Sequence, residues 1–269
     1  MFNASMRPDL VRPRLTENNF DLLRLVFSSM VVVFHVGILS QEPTLRWLHL
    51  YVSSTFAVQA FFVVSGFLVT MSYERSTSLK SYASKRFWRI APAYVTVVVG
   101  AALLFVCVST LDAGQYFSDK GWRDYLLYNL LLSNFSAPSL PGVFANNSEH
   151  AVNGSLWTIK IEVAFYCLVP VMVWLSRRFG HVRALTTLFL LSVAWKCGFI
   201  IAADLTGSDL LSRLAKQIPG QLAFFIGGAL AYYRTQAGLP PPKAWVAALA
   251  VMLYIVLDGL PLQIGRAHV

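Results

Sequence analysis

Seven stretches of this chain, roughly 20–39, 55–73, 91–110, 155–175, 185–203, 217–233 and 244–260, are apolar runs close to twenty residues long. A helix rises about 1.5 Å per residue, so a run of that length crosses the roughly 30 Å hydrocarbon core of a bilayer. In lipid every backbone N–H and C=O must find a partner inside the protein, and a helix satisfies this within one segment. The composition agrees. Only 13% of residues are charged and 56% are hydrophobic, against about 25% charged in soluble domains. The expectation is an all-α fold, a polytopic transmembrane helical bundle of about seven spans embedded in membrane lipid.

The formal charge of +9 raises the question of a nucleic-acid partner, and its distribution argues against one. With a cytoplasmic N-terminus and alternating spans, thirteen Lys and Arg fall in inner segments and six in outer ones. That is the positive-inside bias of membrane topology. Residues 1–19 read as a polar cytoplasmic lead-in; the first apolar run follows it and is expected to stay as a span rather than be cleaved. Cys107, Cys167 and Cys197 all fall inside these spans without paired spacing, so they are expected as small buried hydrophobes, with no disulfide framework and no metal site. Residues 20–263 form one expected domain, incomplete at its C-terminus. Ile264–Val269 back-translates to the start of a common sequencing adapter and is expected to be an artefact.

Ionisable residues inside spans are costly and default to functional hypotheses. Arg24 and His35 are eleven residues apart, about 1100° of helical rotation, so they share one face at a separation of about 16 Å along the axis. Asp21 lies one turn below Arg24. Arg86 and Arg89 are i,i+3 neighbours; two guanidiniums a turn apart suit a phosphate or diphosphate, although basic residues at a span end also simply anchor topology. Helix is expected from Ser78 until Pro92 perturbs it. In "GSLWTIKIEVAFY", Ser155, Thr158 and Glu162 form a polar stripe, and Glu162 needs a partner, a proton or a polar cavity. Trp157 fits either a site or an aromatic belt. Lys196 is expected to pair with a carboxylate on another helix. Ser65-Gly66 marks a small-residue patch for close helix packing, and the long 111–154 segment is expected to carry a local fold or a function.

Four motifs in order resemble the membrane acyltransferase family 3, whose members O-acetylate surface polysaccharides, lipid-linked sugars and some secondary metabolites. They are Asp21, Arg24 and His35; Phe61, Phe62, Val63, Ser65, Gly66 and Phe67; Arg86, Arg89 and Pro92; and Ser155, Leu156, Trp157, Glu162, Phe165 and Tyr166. The chain departs from the pattern at Val163, where many relatives carry a second acid, and relatives have several more spans. The resemblance implies an O-acetyltransferase of the cell membrane, the bacterial inner membrane in particular. Its donor would be acyl-CoA, acetyl-CoA first among candidates, and its acceptor a hydroxyl of a carbohydrate or lipid-linked glycan. On that reading His35 and Glu162 are catalytic. Arg24, Arg86 and Arg89 hold the donor, while Asp21, Ser65, Ser155 and Trp157 bind substrate or give support. The rival expectation is a proton-coupled transporter or flippase of a polar or glycolipid substrate, using His35, Glu162 and Lys196. A membrane subunit that recruits an acceptor without catalysis is a third.

Overall fold

The computed structural model describes residues 19–240 and 243, apart from 41, 46 and 148. The lead-in up to residue 18, the seventh expected span over 244–260 and residues 264–269 lie outside the described residues. Among the described residues ten α-helices follow in order: α1 (Phe20–Leu39), α2 (Trp47–Tyr51), α3 (Ser54–Glu74), α4 (Leu79–Leu104), α5 (Ala113–Ser118), α6 (Lys120–Leu130), α7 (Trp157–Phe179), α8 (His181–Thr206), α9 (Asp209–Ala215) and α10 (Ile218–Gln236). There is no strand among the described residues.

Among the described residues five helices, α1, α3, α4, α7 and α8, are long and apolar enough to cross a membrane. The sixth expected run is also helical, as α10, but lies outside that group. Its composition explains why: α10 contains Pro219, Gly220, Gln221 and two further glycines. It also packs along α3, α8 and α7, burying Gln221, Phe225, Ile226, Gly228 and Ala229. A helix that meets protein over so much of its surface tolerates the small and polar residues that a lipid-facing helix avoids. The opposite case is α1, where Gly37 alone is buried and Leu22, Leu25 and Val32 are exposed.

The α3–α10 contact is set by two glycines. A Cβ on Gly66 would overlap the carbonyl of Phe225, and one on Gly228 would overlap the carbonyl of Val63. Backbone meets backbone at this crossing, so only hydrogen fits. Around it Phe62 of α3, Phe165 of α7 and Phe225 of α10 interlock, with ring centroids 5.3 Å and 4.6 Å apart along that series. This aromatic stack forms the centre of the main core.

Ser78 caps α4 by accepting a hydrogen bond from the Ser81 amide at 3.1 Å, as its position suggested. Pro92, where a perturbation is expected, lies inside α4, which runs through it to Leu104. Proline removes one amide and crowds one carbonyl, a loss that packed membrane helices absorb; Pro170 sits inside α7 in the same way. The long connection after α4 has its own small core, made by Tyr116, Tyr125, Leu140 and Val143 against Tyr94, Val98 and Ala102 of α4. The Ala102 carbonyl, near the helix end where such groups lose helical partners, accepts from the Tyr116 hydroxyl at 3.0 Å and the Trp122 indole at 2.8 Å.

The three cysteines correct an expectation. All are free, and all are exposed rather than buried. In a membrane bundle the outer surface meets lipid, and a weakly polar thiol is at home there.

Candidate active site

A cavity of about 460 Å³ opens between α1, α4 and α7, with Phe61 of α3 also on its wall. Its charged groups are Arg24, Arg89 and Glu162, and Tyr166 stands beside them. Ile90, Ala93, Val97, Leu156 and Ile159 supply an apolar wall, and Asn153 adds a polar group contributed from just before α7. The volume lies within the range of small-molecule sites, which typically combine apolar walls with a few convergent polar groups.

The cavity is built around the Glu162 carboxylate. Its Oε1 accepts two hydrogen bonds, from the Tyr166 hydroxyl at 2.7 Å and from the Ser65 hydroxyl at 3.1 Å. Glu162 and Tyr166 are i,i+4 neighbours on α7, so the first bond is local to one helix face. The second joins α3 to α7 across 97 positions of sequence. Both donors converge on one oxygen, and neither bond uses Oε2. Removing a carboxylate from water is costly unless partners compensate, and here Arg24 is attracted to Glu162, while Arg24 and Arg89, alike in charge, repel each other. Arg24 in turn lies 3.9 Å from Asp21, whose side chain is 90% exposed. So long and exposed a contact contributes little.

The other candidates sort differently. Arg86 and Arg89 are i,i+3 neighbours on α4 with different surroundings. Arg89 lines the cavity; Arg86 turns beneath the Tyr166 ring, its guanidinium carbon 5.6 Å from the ring centroid. Trp157 packs against the main core. Ser155 is taken up in local structure, donating its amide and hydroxyl to Asn153 Oδ1 at 3.1 Å and 2.6 Å, and its carbonyl accepts the Thr158 hydroxyl. The stripe read from Ser155 to Glu162 is therefore split: its first two members shape the start of α7, and the cavity receives Glu162 with Asn153. Lys196 lies with Nζ 4.8 Å from the Phe224 ring centroid.

His35 is half-buried and lies outside the cavity lining. Its Nδ1 is 2.7 Å from the Val31 carbonyl. A carbonyl only accepts, so this contact requires the proton on Nδ1 and, in the neutral ring, leaves Nε2 with a bare lone pair.

Two residues of the site carried no role in the sequence reading. Tyr166 was visible as a phenylalanine-tyrosine match, and its i,i+4 spacing from Glu162 was the available signal. Asn153 lies just before α7 and carried no site signal in the sequence.

These arrangements can be set beside known proteins. The profile of the acyltransferase domain family matches residues 17–267. The chain belongs to that family. Its relatives include a protein named O-acetyl transferase from Shigella phage Sf6, 27% identical over 238 residues that cover 87% of this chain and 68% of the relative. Nodulation protein 10 of Rhizobium leguminosarum bv. viciae is 32% identical over 192 residues, 62% of this chain and 47% of the relative. Acyltransferase MdmB of Streptomyces mycarofaciens is 26% identical over 219 residues, 81% of this chain and 50% of the relative. The chain thus spans between about half and two-thirds of the length of these relatives. No solved structure matches it.

Proposed function

We propose that this protein, seated in the cell membrane, transfers an acetyl or other short acyl group from acyl-CoA to a hydroxyl of a carbohydrate or lipid-linked glycan. The observation that carries the reading is the convergence of Arg24, Arg89 and a doubly hydrogen-bonded Glu162 on one cavity with an apolar wall. Two guanidiniums suit the anionic groups of a coenzyme A thioester, and the apolar wall suits its pantetheine arm and acyl group. Family membership supports group transfer over a transporter or flippase.

In this mechanism His35 acts as general base. Its Nε2 takes the proton of the acceptor hydroxyl; the oxygen attacks the thioester carbonyl; the C–S bond breaks, and the departing thiolate takes up a proton. The rise between Arg24 and His35, about 16 Å along α1, is a span that an extended donor arm bridges with its anionic end at the arginines. Glu162, through its free Oε2, holds or relays a proton on the donor side. Ser155 and Trp157 set the start of α7 and through it the height of Glu162. Histidine is the side chain that most often serves as a positioned general base.

The test is transfer of radiolabelled acetyl from acetyl-CoA to glycans in membranes that carry the protein. Label in the glycan with His35→Ala inactive is the expected result. Full transfer by His35→Ala would remove His35 from the chemistry, and no consumption of acetyl-CoA by the parent protein would overturn the reading.

A further inference from the structure

Arg86 and Arg89 look equivalent in sequence, yet their surroundings differ in kind. Arg89 faces the cavity. Arg86 is half-buried, its Nε is sealed from solvent with no hydrogen-bond partner, and its guanidinium lies against the face of Tyr166. A buried Nε is closed to a phosphate. Tyr166 itself is held from two sides: its hydroxyl donates to Glu162 Oε1, and its backbone carbonyl accepts the Tyr82 hydroxyl at 2.9 Å. Tyr82 lies one turn before Arg86 on the same face of α4. One turn of α4 thus grips Tyr166 by carbonyl and ring, and Tyr166 grips the carboxylate.

Building on the acyl-transfer reading, we infer that Arg86 and Tyr166 are positioning residues that act in series on Glu162, and that Arg89 with Arg24 alone meets the donor's anionic groups. The Arg86 cation over the ring holds the phenol in one orientation. The phenol then keeps Oε1 occupied and turns Oε2 toward the cavity. Arginine suits this place because its planar guanidinium stacks on an aromatic face, which a lysine ammonium does less well.

The experiment is acetyl-CoA turnover by the protein in membranes, with kcat and KM measured separately. Arg86→Gln and Tyr166→Phe are each expected to lower kcat by about 10²-fold, the cost of a misplaced reacting group, with KM for acetyl-CoA unchanged. Arg89→Gln is expected to raise KM instead. The Arg86→Gln/Tyr166→Phe double variant should lose no more than the worse single one, since residues acting as a unit are not additive, and Arg86→Lys should restore part of the loss. A raised KM in Arg86→Gln matching that of Arg89→Gln, or losses that multiply in the double variant, would overturn the inference. Should Arg86→Gln fail to accumulate, Arg86→Lys and Tyr166→Phe carry the same comparison. Thermal unfolding of the same variants gives a readout independent of turnover: sub-additive shifts in Tm support the series and additive shifts refute it. Absence of turnover in the parent protein would count against the acyl-transfer reading alone.

Discussion

Ser65 and Gly66 are adjacent on α3 and face opposite demands. Ser65 turns toward α7 and donates to Glu162, while Gly66 turns toward α10 and lets the Phe225 carbonyl pass where a side chain would be. A step of one residue rotates the helix face by about 100°, enough to move from a polar site to a backbone seam. The two sides are held by different physics. In lipid there is little hydrophobic drive to bring helices together, so the α3–α10 side relies on close fit between small residues. The α3–α7 side relies on donors that make a half-buried carboxylate tolerable. A single motif therefore encodes both an assembly surface and a chemical one.

The glycine side predicts the largest effect. Gly66→Val or Gly228→Val forces a side chain into backbone, and overpacking of this kind costs about 3 kcal/mol or more. Either variant is expected to unfold at a markedly lower temperature in detergent and to lose activity with it. Gly100→Ala on α4, where a Cβ meets open space, serves as the control and should change Tm little. A seam variant with parental Tm would mean that α3 and α10 do not meet as described.

The polar side predicts a large loss of a different sort. Glu162→Gln keeps the volume and the acceptor oxygen of the side chain but removes the charge and the proton-accepting oxygen. Acetyl transfer is expected to fall by about 10²–10⁴-fold, the usual contribution of a positioned acid–base group, while the protein still reaches the membrane and keeps its α3–α10 contact. His35→Ala is expected to fall in the same range. If Glu162→Gln were instead to lose as much Tm as Gly66→Val with activity per folded molecule retained, the two sides of α3 would share one structural role and the contrast would fail.

The sequence made some of this division visible and left other parts hidden, for identifiable reasons. Span lengths revealed α1, α3 and α8 nearly to their ends, because the bilayer imposes length directly. α10 was a weaker case: a helix enclosed by protein needs less apolarity, so hydropathy understates it. Periodicity put Ser155, Thr158 and Glu162 on one stripe, yet Ser155 lies in the 3-10 turn before α7, and Ser155 and Thr158 are spent on local hydrogen bonds there. The pattern of side chains on one helix tells which residues share a face; it does not tell which neighbour that face meets. Arg86 and Arg89 show the same limit. Their i,i+3 spacing is real, but α7 lies close enough to cover one and leave the other at the cavity. The Ser65–Glu162 bond joins distant segments, and nothing in either local sequence specifies it.

Ser65→Ala is the smallest and sharpest test of the comparison. Its hydroxyl is buried, 2% exposed for the residue as a whole, and its bond to Glu162 is the longer of the two, 3.1 Å against 2.7 Å from Tyr166. Alanine fits the same space, and Oε1 retains the Tyr166 donor, so no buried group is left without a partner. A net hydrogen bond contributes about 0.5–1.5 kcal/mol; if all of it acts on the transition state, turnover falls by at most about tenfold. Tm should scarcely move, and Ser65→Thr, which keeps a hydroxyl, should lie nearer the parent than Ser65→Ala in kcat. The ratio of the two neighbours then decides the matter. A large drop in Tm for Ser65→Ala, comparable with that of Gly66→Val, would place Ser65 in the assembly surface. A modest drop in kcat at constant Tm would place it with the carboxylate, one residue and a third of a turn away from the seam.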